Sequence, residues 1–120
     1  MQVAENSIYY LEIVTPEVEK LCRLYTDSQG WRFESAKPEL GNARLAKLPE
    51  GSLCGIRAPM HEAEKPVVRT YLRVTDLEKS VQRAAQAGAN ILLENMNLAG
   101  YGVIAIYEMG GVEQGLWQVD

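Results

Sequence analysis

Eight side chains on predicted strands combine aromatic surface with fixed charge: Tyr10, Tyr71 and Trp117 with Arg57, Arg69, Arg73, Glu12 and Glu113. Tyr10 and Glu12, the trio Arg69, Tyr71 and Arg73, and the pair Glu113 and Trp117 recur at even spacing, so each set points to one face of its strand. A guanidinium fork binds a carboxylate through two parallel hydrogen bonds, and an aromatic ring supplies stacking area. The combination suits a flat organic anion. Glu12 or Glu113, buried near an apolar wall, would have its pKa raised toward neutrality and could abstract a proton from a substrate anchored by Arg69 or Arg73. The same residue types also fit a purely structural arrangement, in which the acids neutralise Arg69 or Arg73 and the aromatics belong to the core.

Other chemistries find less material. There is no Gly-x-Ser-x-Gly elbow, no cysteine paired with a histidine in a motif, and no phosphate-binding glycine loop. The single histidine, His61, lies between Met60 and Glu62 in a segment with no periodicity and reads as a solvated loop residue. Cys22 and Cys54 fall inside a predicted helix and a predicted strand and read as small buried hydrophobes of a reducing compartment, which places the chain in the cytoplasm. A formal net charge of −4 argues against nucleic acid as a partner, and no apolar run approaches membrane-spanning length. With 47% hydrophobic and 23% charged residues, the 120-residue chain can fill a core and reads as one domain.

The elements that must position these side chains occur twice. Residues 7–14 (SIYYLEIV) form an apolar, β-branched and aromatic run, a strand. Thr15-Pro16-Glu17 then supplies a hydroxyl cap, a proline at the first helical position and an acid in the first turn. Val18, Leu21, Cys22 and Tyr25 follow at helical spacing up to Gly30, and strands are expected from Trp31, over 43–48 and over 52–58. The segment 59–67, with two prolines and several charges, reads as a linker. Beyond it come a strand over 68–74, a helix opened by Thr75-Asp76 and closed at Gly88, and strands near 90–95, 101–108 and 112–118. Glu17-Val18-Glu19-Lys20 returns as Asp76-Leu77-Glu78-Lys79 at an offset of 59, and Gly51–Gly55 returns as Gly111–Gly115 at an offset of 60. Half a chain of this length cannot bury a core alone, so the repeat predicts an α+β fold of tandem βαβββ modules, one over about 7–58 and the other over about 68–118.

This pattern resembles the vicinal oxygen chelate superfamily, which includes glyoxalase I, bleomycin-resistance proteins and extradiol dioxygenases. Tyr9-Tyr10-Leu11-Glu12-Ile13 into Thr15-Pro16-Glu17, Gly30-Trp31, Tyr71-Leu72-Arg73-Val74-Thr75-Asp76-Leu77, Ala87-Gly88-Ala89 and the ending Gly115-Leu116-Trp117-Gln118 carry the likeness, to small glyoxalase-like members above all. The resemblance implies curled mixed sheets around a shared cavity, and a homodimer. It places the metal-ligand positions of the metal-dependent members on Tyr10, Gly55, Arg69 and Gly115. A neutral phenol, a guanidinium and two glycines are not the His, Gln or Glu that a divalent ion needs, so no metal and no other cofactor is expected. With Tyr10 and Arg69 facing the cavity, its lining becomes the eight side chains above, while Tyr9, Leu11 and Ile13 pack beneath the helix.

The function expected is metal-independent binding of a small aromatic or anionic molecule, with ligand contacts from Tyr10, Arg57, Arg69, Tyr71, Arg73 and Trp117. A glyoxalase-like isomerase or lyase with an unconventional or absent metal, and a non-catalytic scaffold with a filled cavity, are the two alternatives.

Overall fold

The computed structural model describes residues 2–120. Its strands run Ile8–Val14 (β1), Arg44–Lys47 (β2), Leu53–Arg57 (β3), Val67–Arg73 (β4), Asn90–Leu98 (β5), Gly102–Met109 (β6) and Val112–Val119 (β7), with helices Val18–Gln29 (α1) and Leu77–Gln86 (α2). The chain divides into two compact units, one holding residues 10–68 and the other residues 3–9 with 69–120. Among the described residues, no helix is long and apolar enough to cross a membrane.

The first unit orders its strands β2-β3-β1. β1 runs parallel to β3 and β2 runs antiparallel to it. α1 covers one face, burying Cys22 against Ile13, Ala46, Cys54 and Ile56. The Thr15 hydroxyl accepts the Glu17 N–H at 3.1 Å, and α1 begins at Val18. The helix ends where Gly30 takes the left-handed conformation (φ 74°) and donates to the Thr26 carbonyl.

The strand expected from Trp31 is reduced to a single bridge, Phe33 to Ala46. Side chains take the carbonyls that a ladder would need. The Thr26 hydroxyl donates to the Trp31 carbonyl at 2.8 Å, and Arg44 Nε donates to the Glu34 carbonyl at 2.6 Å. Trp31 instead stacks on Tyr25, with ring centroids 4.7 Å apart.

The second unit is a complete βαβββ module, ordered β4-β7-β6-β5. Asp76 caps α2 by accepting the Lys79 N–H at 3.1 Å, so the acid anticipated beside Thr75 is itself the cap. Val74, Leu77, Val81, Ala105 and Leu116 form its helix-side core.

Both cysteines are free and buried, and burial pushes the Cys54 thiol up to about 12. Because the thiolate is the nucleophile, Cys54 will resist a disulfide reagent in the native protein and react at the normal rate once the chain is unfolded. Rapid native labelling of both thiols would contradict this packing.

Candidate functional site

Cross-strand register decides which side chains share a face, because directly paired residues point to the same side of a sheet. In the second unit Tyr71 pairs with Gly115 and Arg73 with Trp117. Across the next ladder Trp117 pairs with Ile104, Gly115 with Ile106 and Glu113 with Glu108, and beyond it Ile104 pairs with Met96 and Ile106 with Leu93. Leu72, Leu116, Ala105, Val103 and Ile91 belong to the opposite, helix-covered face. The inner face of this module therefore carries Arg69, Tyr71, Arg73, Glu113 and Trp117, the parity expected from the sequence. It also carries an apolar strip of Leu93, Met96, Ile104 and Ile106, which the sequence reading missed. The alternation of Ile104 and Ile106 with Val103 and Ala105 was the available signal.

Aromatic rings form the floor. Tyr71 meets Trp117 edge-on, with centroids 5.5 Å apart at 79°, and Trp117 Nε1 donates to the Tyr101 carbonyl at 2.9 Å. Gly115 makes this packing possible: a Cβ there would lie 2.1 Å from Tyr71 Cδ2 and 2.5 Å from Tyr71 Cγ. Tyr9, expected beneath α1, meets Trp117 instead, 5.4 Å away at 67°. Residues 3–9 belong to this unit because the Asn6 N–H donates to the Arg73 carbonyl and the Arg73 N–H donates to the Ser7 carbonyl. Burial raises the Tyr9 phenol pKa, and the nearby Arg73 charge partly offsets that.

The two arginines on this face of the second module are engaged. Arg69 donates through Nε to Glu113 Oε1 at 3.1 Å, and Arg73 Nη1 donates to the Val3 carbonyl at 2.6 Å.

In the first unit, Tyr10, Glu12 and Val14 pair with Leu53, Gly55 and Arg57, and Gly55 pairs onward with Leu45. A Cβ on Gly55 would stand 1.6 Å from Tyr10 Oη, so here too a tyrosine ring lies across a glycine of the last strand. The rings arrive differently. Tyr71 sits directly beside Gly115, whereas Tyr10 reaches Gly55 diagonally from its place opposite Leu53.

Arg57 and Glu12 are buried together. Arg57 Nε donates to Glu12 Oε2 at 3.0 Å. Arg57 also grips Glu64 with Nη1 at 2.9 Å and Nη2 at 2.6 Å, and Glu64 Oε1 accepts the Met60 N–H at 2.7 Å. Glu64 stood in the segment read as an aperiodic linker, and no local pattern marks it as an ion-pair partner. The Arg57 hydrogen bonds hold the Glu64 carboxyl down at about 2, against an ordinary value of 4.5. A depressed folded-state pKa means that this stability is present above about pH 4.5 and is lost as pH falls toward 2. Glu64→Gln should therefore flatten the acid limb of the stability profile across that window. An unchanged limb would contradict the pairing.

No family model matches the chain. It is 24% identical over 103 residues to a glyoxylase-like domain-containing protein from Didymella fabae, covering 80% of this chain and 79% of that one. The methylmalonyl-CoA epimerase of Mycobacterium tuberculosis matches its structure with a TM-score of 0.76 at 18% identity, over 98% of this chain and 91% of that one. The chain has the vicinal oxygen chelate fold. A hypothetical protein from Bacillus halodurans C-125 also matches the structure, at a TM-score of 0.74 and 14% identity, covering 95% of this chain and 94% of that one.

The metal implied by some members of the vicinal oxygen chelate superfamily can be tested against each half separately. In the first unit the two ligand positions are Tyr10, whose ring overlies its glycine, and Gly55. In the second they are Arg69, held by Glu113, and Gly115, overlain by Tyr71. A guanidinium offers no lone pair and each glycine's side is closed by a ring, so these residues do not fit a divalent ion. Among the described residues, no group of three or more His, Cys, Asp or Glu side chains could hold one elsewhere.

Proposed function

We propose that the chain is a metal-independent binder of a small organic molecule with an aromatic or aliphatic body and an acid group, taken up on the inner face of the second module. The observation that carries this reading is the packing of Tyr71 over Gly115. A ring covers the position where the superfamily's chemistry would place a liganding side chain, and the surface left beside this buried aromatic floor is aliphatic. Leu93 and Ile106 are partly exposed and Met96 is exposed, so apolar area is available to cover. Arg69 and Glu113 stand on the same face as the polar end, the arrangement common in small-molecule sites: mostly apolar walls with a few placed charges. Both acids considered for proton abstraction are gripped by guanidinium groups, Glu12 by Arg57 and Glu113 by Arg69, and this favours binding over catalysis.

A thermal-shift screen of organic acids, run in chelator, tests the proposal. A ligand at 100 times its Kd adds about 2.7 kcal/mol to the folded state, enough for a clear shift. The reading expects at least one stabilising acid whose effect survives chelation and is lost in Met96→Glu. Stabilisation by no organic acid, or only by a divalent metal, would sink it.

A further inference from the structure

The arginine-plus-aromatic chemistry expected of the inner face exists unspent on the outside of the first unit. A groove of about 390 Å³ there is lined by Glu19 and Arg23 of α1, Arg44 of β2, and Trp31, Arg32 and Phe33 of the intervening segment. Three guanidinium groups face one carboxylate in a chain whose net charge is −4. That carboxylate is already taken, since Arg44 Nη1 donates to both Glu19 oxygens at 2.5 and 2.7 Å. Arg23 and Arg32 are exposed, and among the described residues neither forms an ion pair.

The aromatic wall is rigid. Trp31 lies stacked on Tyr25 at 16° and tilted against Phe33 at 6.4 Å, with its exposure intermediate. Trp31, Arg32 and Phe33 also line a second recess of about 530 Å³, so this ridge is open on two sides.

We propose that this groove is a binding site for a planar aromatic group bearing a carboxylate or phosphate, the ring against Trp31 and Phe33 and the anion between Arg23 and Arg32. Both anions present the oxygens that a guanidinium fork recognises, and an aromatic body gains stacking and cation–π contact at the same place. The site is separate from the inner face and does not depend on the function proposed above.

Calorimetric titration of the intact chain with a naphthoate, a naphthyl phosphate and the neutral naphthyl alcohol tests the assignment. At least one anion should bind with a Kd in the millimolar range or tighter, and the alcohol about tenfold or more weaker. Arg23→Ala/Arg32→Ala should weaken that anion by about tenfold or more, while Arg83→Ala, which removes an exposed guanidinium from α2, leaves it unchanged. The stronger of the two anions names the ligand's acid group. Arg32→Glu alone serves as the second variant if the double one does not fold. Equal affinity for the neutral alcohol, no binding of either anion, or affinity unmoved by these substitutions would overturn the proposal.

Discussion

Gly115→Ala should destabilise the protein by about 3 kcal/mol, at the upper end for overpacking a tight core and roughly 10 °C in Tm for a chain of this size. A methyl group added there would lie 2.1 Å from Tyr71 Cδ2 and 2.5 Å from Cγ, the root of the ring rather than its free end. Tyr71 is 3% exposed and wedged edge-on against Trp117, so the ring cannot swing clear without leaving its rotamer and displacing the indole. Gly55→Ala meets Tyr10 at its hydroxyl end, 1.6 Å away, the part of the side chain that a small swing about χ1 moves furthest. Its cost should be the smaller of the two. Chemical denaturation of both variants, and of Gly115→Ala in a Tyr71→Ala background, measures this. The alanine should cost much less once the ring is gone. A Gly115→Ala protein within about 0.5 kcal/mol of the parent would mean that the ring does not occupy that space.

Arg57→Ala should cost about 3–5 kcal/mol, the range for removing one partner of a buried ion pair. Arg57 and Glu12 are 6% and 9% exposed, and truncation would leave Glu12 and Glu64 facing each other without the cation between them. The triad draws on three segments, β1, β3 and the linker, so its loss should also loosen residues 59–66. The rescue discriminates charge from shape. Arg57→Met with Glu12→Gln and Glu64→Gln removes every charge and should recover most of the stability, because a buried pair is often replaceable by neutral groups of similar volume. A loss below about 1 kcal/mol for Arg57→Ala would contradict the buried triad.

The repeat, the helix stop at Gly30, the helix start at Thr75-Asp76, and the shared strand face of Tyr10 with Glu12 and of Arg69 with Tyr71 and Trp117 were legible in the sequence. Each follows from a local signal, a cap, a stop or a period of two, that needs no knowledge of distant partners. What the sequence did not disclose is partner choice. Glu12 lies 45 residues from Arg57, and Arg69 lies 44 from Glu113. Either acid had the charge to pair with any of the arginines, and the fold of the sheet brings these pairs together. Tyr9 illustrates the same limit: alternation assigned it to the helix side, but backbone hydrogen bonds from Asn6 and to Ser7 tie its segment to Arg73 and bring its ring to Trp117. The strand lost at Trp31–Phe33 was undone by two side chains, Thr26 and Arg44, bonding to carbonyls. The linker acid Glu64 had no pattern to announce it.

We propose that an apolar face of the second module binds an organic acid without a metal. Methyl-labelled NMR of the chelator-treated chain, titrated with the best acid from the thermal-shift screen, tests it most directly. The methyl signals of Leu93, Met96, Ile104 and Ile106 should shift together and saturate with one Kd, unaffected by chelator. Shifts confined to other methyl groups, or a response that appears only when a divalent metal is restored, would contradict it.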